Sequence, residues 1–225
     1  MKKDKLHVGI ILDGNRRFAK QRGESVLKGH EYGAKVLEEV FDWVEELDVG
    51  EMTFYLFSLE NFNRSKLEVS VLMKSIKRYL KRLEKDRRVF EKKVKINFAG
   101  DLERFDSGLQ GVMEEIMKKT KEHKDFVVNF CMGYSGRQEI VRAVKLCIEK
   151  GEEISEESIQ KNLWIKNNPD FIIRTGKQMR LSGFLPWQSV YSELIFLDKL
   201  WPEFTKGDLV GCIEEFKSRK RNFGK

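Results

Sequence analysis

Short runs of β-branched and aromatic residues alternate along this chain with longer stretches of helical periodicity. The predicted strands are His7–Leu12, Met52–Phe57, Val94–Phe98 and Phe126–Phe130, with shorter candidates at Phe171–Ile173 and Leu194–Leu197. The stretches with an apolar face at helical spacing are Glu31–Leu47, Glu68–Lys92, Leu109–Lys121, Gln138–Glu149 and Glu156–Trp164. Strands joined through helices of this length need crossover connections. The pattern therefore predicts an α/β fold with a largely parallel central sheet flanked by helices.

The length of 225 residues suits a single domain spanning residues 1–225, because no linker, repeat or low-complexity tract interrupts the pattern. The cysteines Cys131, Cys147 and Cys212 are odd in number and form no CxxC pair, which predicts reduced thiols and a cytoplasmic protein. No run approaches the roughly 18 apolar residues that a membrane span needs. We therefore expect a soluble chain, for which peripheral contact with a membrane stays open.

The charge balance is basic, with 43 Lys and Arg against 36 Asp and Glu and a formal net charge of +7. Such a surface suits nucleic acids, anionic membranes or phosphorylated small molecules. A nucleic-acid-binding module is one interpretation, and the basic run Lys217–Arg221 supports it. The aromatic residues, however, lie within apolar runs and do not form base-stacking platforms. We therefore rank this interpretation last and expect no nucleic acid partner.

Polar clusters follow three of the predicted strands, at Asp13–Arg17, Ser58–Arg64 and Arg174–Gly176. In an open α/β sheet, ligands bind outside the carboxyl ends of the strands. The three clusters should therefore lie on one rim of the sheet.

The residue types in these clusters suit a diphosphate. Asp13 is a natural ligand for Mg²⁺, which usually bridges one or two carboxylates to substrate phosphates. Arg174 and Arg180, with Ser182 nearby, form a diphosphate-sized set of donors. Taken alone, the Asp-Gly-Asn segment at Asp13 is more simply a surface turn. The chain has neither a Walker loop nor a GxGxxG fingerprint, which argues against the usual nucleotide-binding folds.

Four segments, in chain order, resemble the undecaprenyl diphosphate synthase family of cis-prenyltransferases. They are His7–Ala19 with Gly29 and His30 downstream, Phe57–Arg64, Asn129–Arg137, and Ile173–Leu194. The resemblance implies a hydrophobic tunnel for the prenyl chain, usually in a homodimer. It also implies a Mg²⁺-dependent enzyme that condenses isopentenyl diphosphate with an allylic prenyl diphosphate. Pyrophosphate is released, and a longer (poly)prenyl diphosphate is formed.

The resemblance also implies roles for individual residues. Asp13 and Asn15 would be catalytic, Asp13 would hold the metal, and Glu193 would assist the metal or the neighbouring subunit. The substrate-binding residues would be Gly14, Arg16, Arg17, Phe18, His30, Ser58, Asn61, Phe62, Arg64, Arg174, Arg180 and Ser182. Within this set, Gly14, Arg17 and His30 would bind the allylic diphosphate, and Arg174, Arg180 and Ser182 the isopentenyl diphosphate. The apolar stripe Leu72, Ile76, Tyr79 and Leu80 could wall the tunnel, although ordinary core is the simpler interpretation of each residue.

The chain departs from the family's pattern at Phe18, Val26, Phe62, Lys177, Gln178 and the ending around Asn222. Val26 stands where the family usually has an arginine. These departures leave two alternatives open: a member with an unusual substrate pair or acceptor, and a partner subunit of a heteromeric cis-prenyltransferase. Because Asp13, Asn15 and Arg17 remain, we expect a catalytic chain.

Overall fold

Six parallel strands form one sheet in a computed structural model that describes residues 5–220, without the side chain of Glu45. The strands are β1 (Leu6–Ile11), β2 (Val49–Ser58), β3 (Val94–Ala99), β4 (Phe126–Tyr134), β5 (Phe171–Arg174) and β6 (Glu193–Phe196). Their order is β3-β4-β2-β1-β5-β6, and every neighbouring pair is parallel. The predicted α/β fold with a parallel central sheet is confirmed.

The helices that connect and cover the strands are α1 (Asn15–Gln21), α2 (Val26–Trp43), α3 (Lys66–Leu83), α4 (Arg87–Glu91), α5 (Ser107–Thr120), α6 (Gly136–Glu149), α7 (Glu156–Asn162) and α8 (Lys206–Ser218). The basic run predicted at Lys217–Arg221 begins in the last turn of α8. Arg221 and the ending around Asn222 lie outside the described residues. Within residues 5–220, no helix combines the length and the apolar character that crossing a bilayer requires.

Helix α2 begins at Val26, five residues before its predicted start, and two other segments differ more from the sequence prediction. The stretch Glu68–Lys92 was predicted as one helix, but it is divided between α3 and α4. The side chain of Asp86 accepts a hydrogen bond from the backbone N–H of Arg88 and caps a new helix there. The segment after Asp13 was interpreted as a turn, but it continues directly into α1, which the periodicity did not predict.

Two serines define the start of α7. Ser155 caps the helix, and the side chain of Ser158 accepts a hydrogen bond from the backbone N–H of Ser155 at 2.9 Å. A serine thus does what glutamate or glutamine does in the usual capping box. The predicted boundary at Glu156 is therefore correct.

The two faces of the sheet are covered differently. Alternate strand residues such as Ile10, Phe54 and Phe130 pack against α2, α3, α5 and α8 in the larger of two hydrophobic clusters. On the other face, residues such as Ile172 and Tyr134 belong to a smaller cluster. The chain runs from β1 to β2 on one side and from β5 to β6 on the other. The strand order therefore reverses between β1 and β5, which is where α/β sheets usually bind ligands.

Candidate active site

Asp13 lies at the carboxyl end of β1, beside the end of β5. The backbone turns from the strand into α1 at Gly14, which has φ 121°, a left-handed conformation that favours glycine. A Cβ atom at Gly14 would also lie 2.8 Å from the Cβ of Leu200. The carbonyl oxygen of Asp13 accepts hydrogen bonds from the Thr175 hydroxyl at 2.7 Å and the Trp201 backbone N–H at 2.9 Å. These contacts fix the position of Asp13 at the rim of the sheet.

The Asp13 carboxylate is held between two arginines. Its Oδ1 accepts from Nη2 of Arg17 at 2.9 Å, and its Oδ2 accepts from Nη2 of Arg174 at 3.0 Å. The side chain of Arg174 is only 6% exposed. Its Nη1 donates to the Ser182 hydroxyl at 2.8 Å and to the carbonyl oxygen of Arg180. One carboxylate and two guanidinium groups leave a net positive charge at the rim, which suits an anionic ligand.

Two adjoining cavities open at this rim. The cavity that we call the basic pocket, of about 680 Å³, is lined by Leu12, Asp13, Gly14, Asn15, Arg16, Arg17, Lys20, Glu24, Val26, His30 and Arg64. The cavity that we call the apolar pocket, of about 290 Å³, shares Asp13, Asn15, His30 and Arg64 with it. Arg174, Ser182, Ser58 and Asn61 also line the apolar pocket. Residues from all three predicted clusters therefore converge, as their strand ends required.

The far wall of the apolar pocket is hydrocarbon. It is formed mainly by Leu37, Leu56, Phe57, Leu72, Ile76, Tyr79 and Trp201. Leu72, Ile76 and Tyr79, for which ordinary core was the simpler interpretation, are buried in the core and also line this pocket. Leu80 is instead fully buried in the core and does not line it. The hydroxyl group of Tyr79 is buried without a hydrogen-bond partner.

The segment after β2 forms a 3₁₀ turn, Leu59–Asn63, beside the pocket. The side chain of Asn61 accepts a hydrogen bond from the backbone N–H of Ser58 at 3.1 Å and closes the turn. Phe62 was predicted to bind substrate, but its ring packs against Phe57 and Phe105 and lines neither pocket. Phe18 likewise contacts Tyr32 and lines neither pocket. Their role in substrate binding stays a prediction.

His30 lines both pockets in its neutral form. Its pKa is lowered to about 4, mainly by burial and in smaller part by the nearby positive charges of Arg64 and Arg16. Its Nε2 atom is buried without a partner. At neutral pH, His30 therefore offers a hydrogen-bonding group to a ligand without adding a charge. Val26 also lines the basic pocket and supplies no charge there.

A magnesium ion would find part of its ligand set here. Asp13 supplies a carboxylate, and the buried side-chain oxygen of Asn15 has no hydrogen-bond partner. Mg²⁺ commonly uses one or two protein oxygens and completes its shell with phosphate and water, so these residues fit it. Within residues 5–220 no group of three or more His, Cys, Asp or Glu side chains could hold a metal.

Glu193 is not brought to Asp13 within this chain. It is the first residue of β6 and pairs with Phe171, at the amino end of β5, whereas Asp13 lies beside the carboxyl end of that strand. Its carboxylate accepts a hydrogen bond from Nη1 of Arg219 at 2.6 Å. The prediction that Asp13 and Glu193 serve one metal is therefore not met by the isolated chain, because the strand direction separates them.

Sequence reasoning missed several residues at this edge. Lys20 lies in α1 and Glu24 in the loop after it, and both line the basic pocket. They were missed because the α1 helix itself was not predicted. Glu68 contacts two of the predicted arginines, Arg16 and Arg64. Arg64 precedes the cap of α3, so helical spacing could not have indicated the pair.

Glu139 is a second carboxylate near the carboxyl ends of the strands, and it lines neither pocket. It lies in α6, immediately after β4, and is fully buried. Its oxygens accept from the Tyr134 hydroxyl, the Gln188 side chain at 3.1 Å and the Ile165 backbone N–H at 2.9 Å. Burial raises the pKa of this carboxyl, and the three donors oppose the shift.

Comparison with known proteins identifies similar sequences and folds over nearly the whole chain. Residues 11–224 match the family described as "Putative undecaprenyl diphosphate synthase". An isoprenyl transferase of Thermus thermophilus is 40% identical over 97% of this chain and 88% of its own length. A tritrans,polycis-undecaprenyl-diphosphate synthase of Pyrococcus abyssi, described as specific for geranylgeranyl diphosphate, is 42% identical over 97% of this chain and 86% of its own length.

A solved structure has the same fold. Lavandulyl diphosphate synthase from Lavandula x intermedia, in complex with dimethylallyl diphosphate, superposes with a TM-score of 0.92. It is 31% identical in sequence, and the match covers 97% of this chain and 98% of that chain.

Proposed function

The chain belongs to the undecaprenyl diphosphate synthase family of cis-prenyltransferases, and we propose that it condenses isopentenyl diphosphate with an allylic prenyl diphosphate. The reaction releases pyrophosphate and gives a longer prenyl diphosphate. The observation that carries this proposal is the position of Asp13. Its carboxylate is held between Arg17 and Arg174 where a basic pocket adjoins an apolar one. The two pockets suit the two ends of a prenyl diphosphate.

The basic pocket would bind the diphosphate of the allylic substrate. When the allylic C–O bond breaks, negative charge develops on the leaving pyrophosphate and positive charge on the allylic carbon. Arg16, Arg17 and Arg64 are already held at the pocket before substrate arrives, and such preorganised charges stabilise a leaving anion. Gly14 lets the backbone approach the phosphates, and His30 would contribute a neutral hydrogen bond.

The isopentenyl diphosphate would be held by Arg174, Arg180 and Ser182. Arg174 is the anchor of this group, because it is buried and its guanidinium contacts both the Ser182 hydroxyl and the Arg180 carbonyl group. Arg174 also touches Asp13, so the two diphosphates would meet at that carboxylate. Asn15, which lines both pockets, would position the reacting carbons at this junction.

Asp13 would also hold Mg²⁺ on the diphosphates. When bound, the ion neutralises charge on the phosphate oxygens and makes pyrophosphate a better leaving group. Binding would require Asp13 to relax its contact with Arg17 or Arg174, and each arginine could then turn to a phosphate oxygen. Glu193 could serve such an ion only from a second subunit.

The apolar pocket would receive the hydrocarbon chain. Its wall of leucine, isoleucine and aromatic side chains excludes water from the reactive allylic carbon and favours the growing chain through apolar burial. The depth of this pocket would limit the product length. Tyr79 lines the wall of the apolar pocket, and we expect a longer prenyl chain to pass its ring.

The direct test is incubation with isopentenyl diphosphate, Mg²⁺ and allylic primers from dimethylallyl to geranylgeranyl diphosphate, followed by mass analysis. We expect products that differ by C5 units, with one primer clearly preferred. Failure to form a product from any primer or mixture of primers would contradict the proposal. Activity that appears only on mixing with a second protein chain would instead identify a subunit of a heteromeric enzyme.

A homodimer and a cytoplasmic location complete the proposal. Val190 is 72% exposed and Tyr191 is 63% exposed just before the edge strand β6, and such apolar surface is typical of an interface. The three cysteines are free and buried, in keeping with a reducing compartment. Light scattering coupled to size exclusion would measure the oligomeric state, and a monomer at micromolar concentration would contradict the dimer. Peripheral membrane contact stays a prediction.

A further inference from the structure

Two carboxylates at the basic pocket each bridge a pair of arginines. Asp13 bridges Arg17 and Arg174, as described above. Glu68 bridges Arg16 and Arg64: its Oε1 lies 3.3 Å from Nη1 of Arg16 and 3.1 Å from Nη1 of Arg64. Both of these arginines line the basic pocket, whereas Glu68 does not line either pocket. Glu68 therefore acts on the pocket through its arginines.

The backbone around Glu68 holds its carboxylate in place. Glu68 lies in the first turn of α3, and its backbone N–H donates to the Ser65 hydroxyl that caps the helix, at 3.3 Å. A negative charge is stabilised in the first turn of a helix. The side chain is only 18% exposed, so solvent screens its ion pairs less than those on the open surface. These features hold the carboxylate in a fixed position.

The bridge joins two separate walls of the basic pocket. Arg16 belongs to α1, and Arg64 follows the 3₁₀ turn after β2. The positive charges of both arginines lower the pKa of His30, which lines the pocket between the same elements. The two guanidinium groups thus act on the space that a diphosphate would occupy, while both are paired to one carboxylate outside it.

We propose that Glu68 is a positioning residue that holds Arg16 and Arg64 at the basic pocket until a diphosphate displaces its carboxylate from them. This inference rests on the proposed function. Phosphate and carboxylate oxygens compete for the same guanidinium N–H groups. Glu68 is therefore a built-in competitor: it orders the arginines in the empty enzyme, weakens their hold on the diphosphate, and assists the release of pyrophosphate.

The test is the affinity for inorganic pyrophosphate, measured by isothermal titration calorimetry with a fixed excess of magnesium chloride. The variant Glu68→Gln keeps the size of the side chain but removes the competing charge. We expect its dissociation constant for pyrophosphate to fall about three- to tenfold, as one partly screened charge predicts. The gain should shrink at high salt. A purely structural role for Glu68 would produce the opposite change, because loosened arginines bind more weakly.

A double-mutant cycle shows whether the gain depends on the bridged arginines. Arg16→Gln should weaken pyrophosphate binding, and adding Glu68→Gln to it should give a smaller gain than in the unchanged chain. Glu38→Gln is the matched control. Glu38 lies in α2 and forms an ion pair at 2.7 Å with Arg82, which is in α3 like Glu68. Glu38 lines neither pocket. This control loses the same charge and should leave the pyrophosphate affinity unchanged.

The outcomes separate this inference from the proposed function. If the unchanged chain binds pyrophosphate and Glu68→Gln binds it equally or more weakly, the role of Glu68 is overturned and the diphosphate site stands. An equal gain in Glu38→Gln would also overturn it, because the effect would then be one of net charge. If the unchanged chain binds no pyrophosphate, the diphosphate site fails, and the role of Glu68 fails with it.

Discussion

The rim around Asp13 and the cluster around Glu139 are both built on a carboxylate near the carboxyl ends of the strands. They differ in the charge of their partners. Asp13 is 28% exposed and paired with two cations, whereas Glu139 is fully buried and surrounded by neutral donors. The cations at Asp13 can turn to an incoming anion, but the neutral donors at Glu139 are fixed by packing. Partner charge and access, more than position, therefore distinguish a carboxylate that a ligand can reach from one that packing encloses.

The sharpest way to break this comparison is to neutralise Asp13. Asp13→Asn keeps the side-chain size but removes the charge that would hold Mg²⁺ and align the two arginines. We expect turnover with isopentenyl diphosphate and an allylic primer to fall by about 100- to 1,000-fold. Because asparagine has one oxygen for the two arginines and Arg174 is buried, the thermal unfolding temperature should also fall somewhat.

Asp101→Asn is the control for this substitution. Asp101 follows β3 at the same edge of the sheet and pairs with Nε of Arg104 at 2.8 Å, but it lines neither pocket. It should retain the turnover of the unchanged chain. A native rate in Asp13→Asn would remove both the metal assignment and the functional side of the comparison.

Truncation of Glu139 should have the converse effect, on stability and not on catalysis. Glu139→Ala leaves the hydroxyl of Tyr134, the amide of Gln188 and the backbone N–H of Ile165 without their acceptor in a buried site. Each unsatisfied group costs about 1 kcal/mol or more, so we expect the free energy of unfolding to fall by about 3 kcal/mol. Urea denaturation measures this loss. The KM values of the folded fraction should match those of the unchanged chain, and raised KM values with unchanged stability would contradict the structural role.

The rim was more predictable from the sequence than the buried cluster. Parallel strands end at one edge, so the polar residues after β1, β2 and β5 had to converge, and Asp13 and Arg174 indeed meet. Side-chain direction within that edge was not predictable. Phe18 and Phe62 follow the same strand ends, but their rings contact neighbouring aromatic side chains and line neither pocket.

Features that depend on contacts between residues distant in the chain could not be predicted from the sequence. The burial of Glu139 depends on Gln188, which is 49 residues away in a loop without periodic pattern. The position of Glu193 opposite the rim follows from the direction of β6, a strand of only four residues whose register the sequence did not specify. Pocket depth likewise depends on how α2 and α3 pack, which side-chain volumes decide and periodicity does not.

Arg180 provides a finer test of the rim. Its carbonyl oxygen supports Arg174, while its own side chain is exposed and lines neither pocket. If this side chain turns to the isopentenyl diphosphate, Arg180→Ala should raise the KM for that substrate by about 10- to 100-fold, the worth of one charged hydrogen bond. Steady-state kinetics measures this change.

The matched control for Arg180 is Arg87→Ala, because Arg87 is exposed and pairs only with Glu91 on the surface of α4 among the contacts described. Neither substitution should alter the free energy of unfolding by more than about 0.5 kcal/mol. An unchanged KM in Arg180→Ala would show that this residue contributes only its backbone to the site. Arg174 would then be the only guanidinium in the proposed isopentenyl diphosphate group.

The smallest expected effect is the pH dependence of stability at Glu139. Burial raises the pKa of this carboxyl above its ordinary value of 4.5, so the folded chain holds the proton more tightly than the unfolded chain does. The contribution of Glu139 to the free energy of unfolding should therefore fall as pH rises from 4.5 through the raised pKa, and stay constant above it. The slope for one group is at most about 1.36 kcal/mol per pH unit. Glu139→Gln cannot titrate, so the difference between its unfolding curve and that of the unchanged chain isolates this slope. Parallel curves would mean that the pKa of Glu139 is the same in the folded and the unfolded chain, so that its neutral donors fully offset the effect of burial.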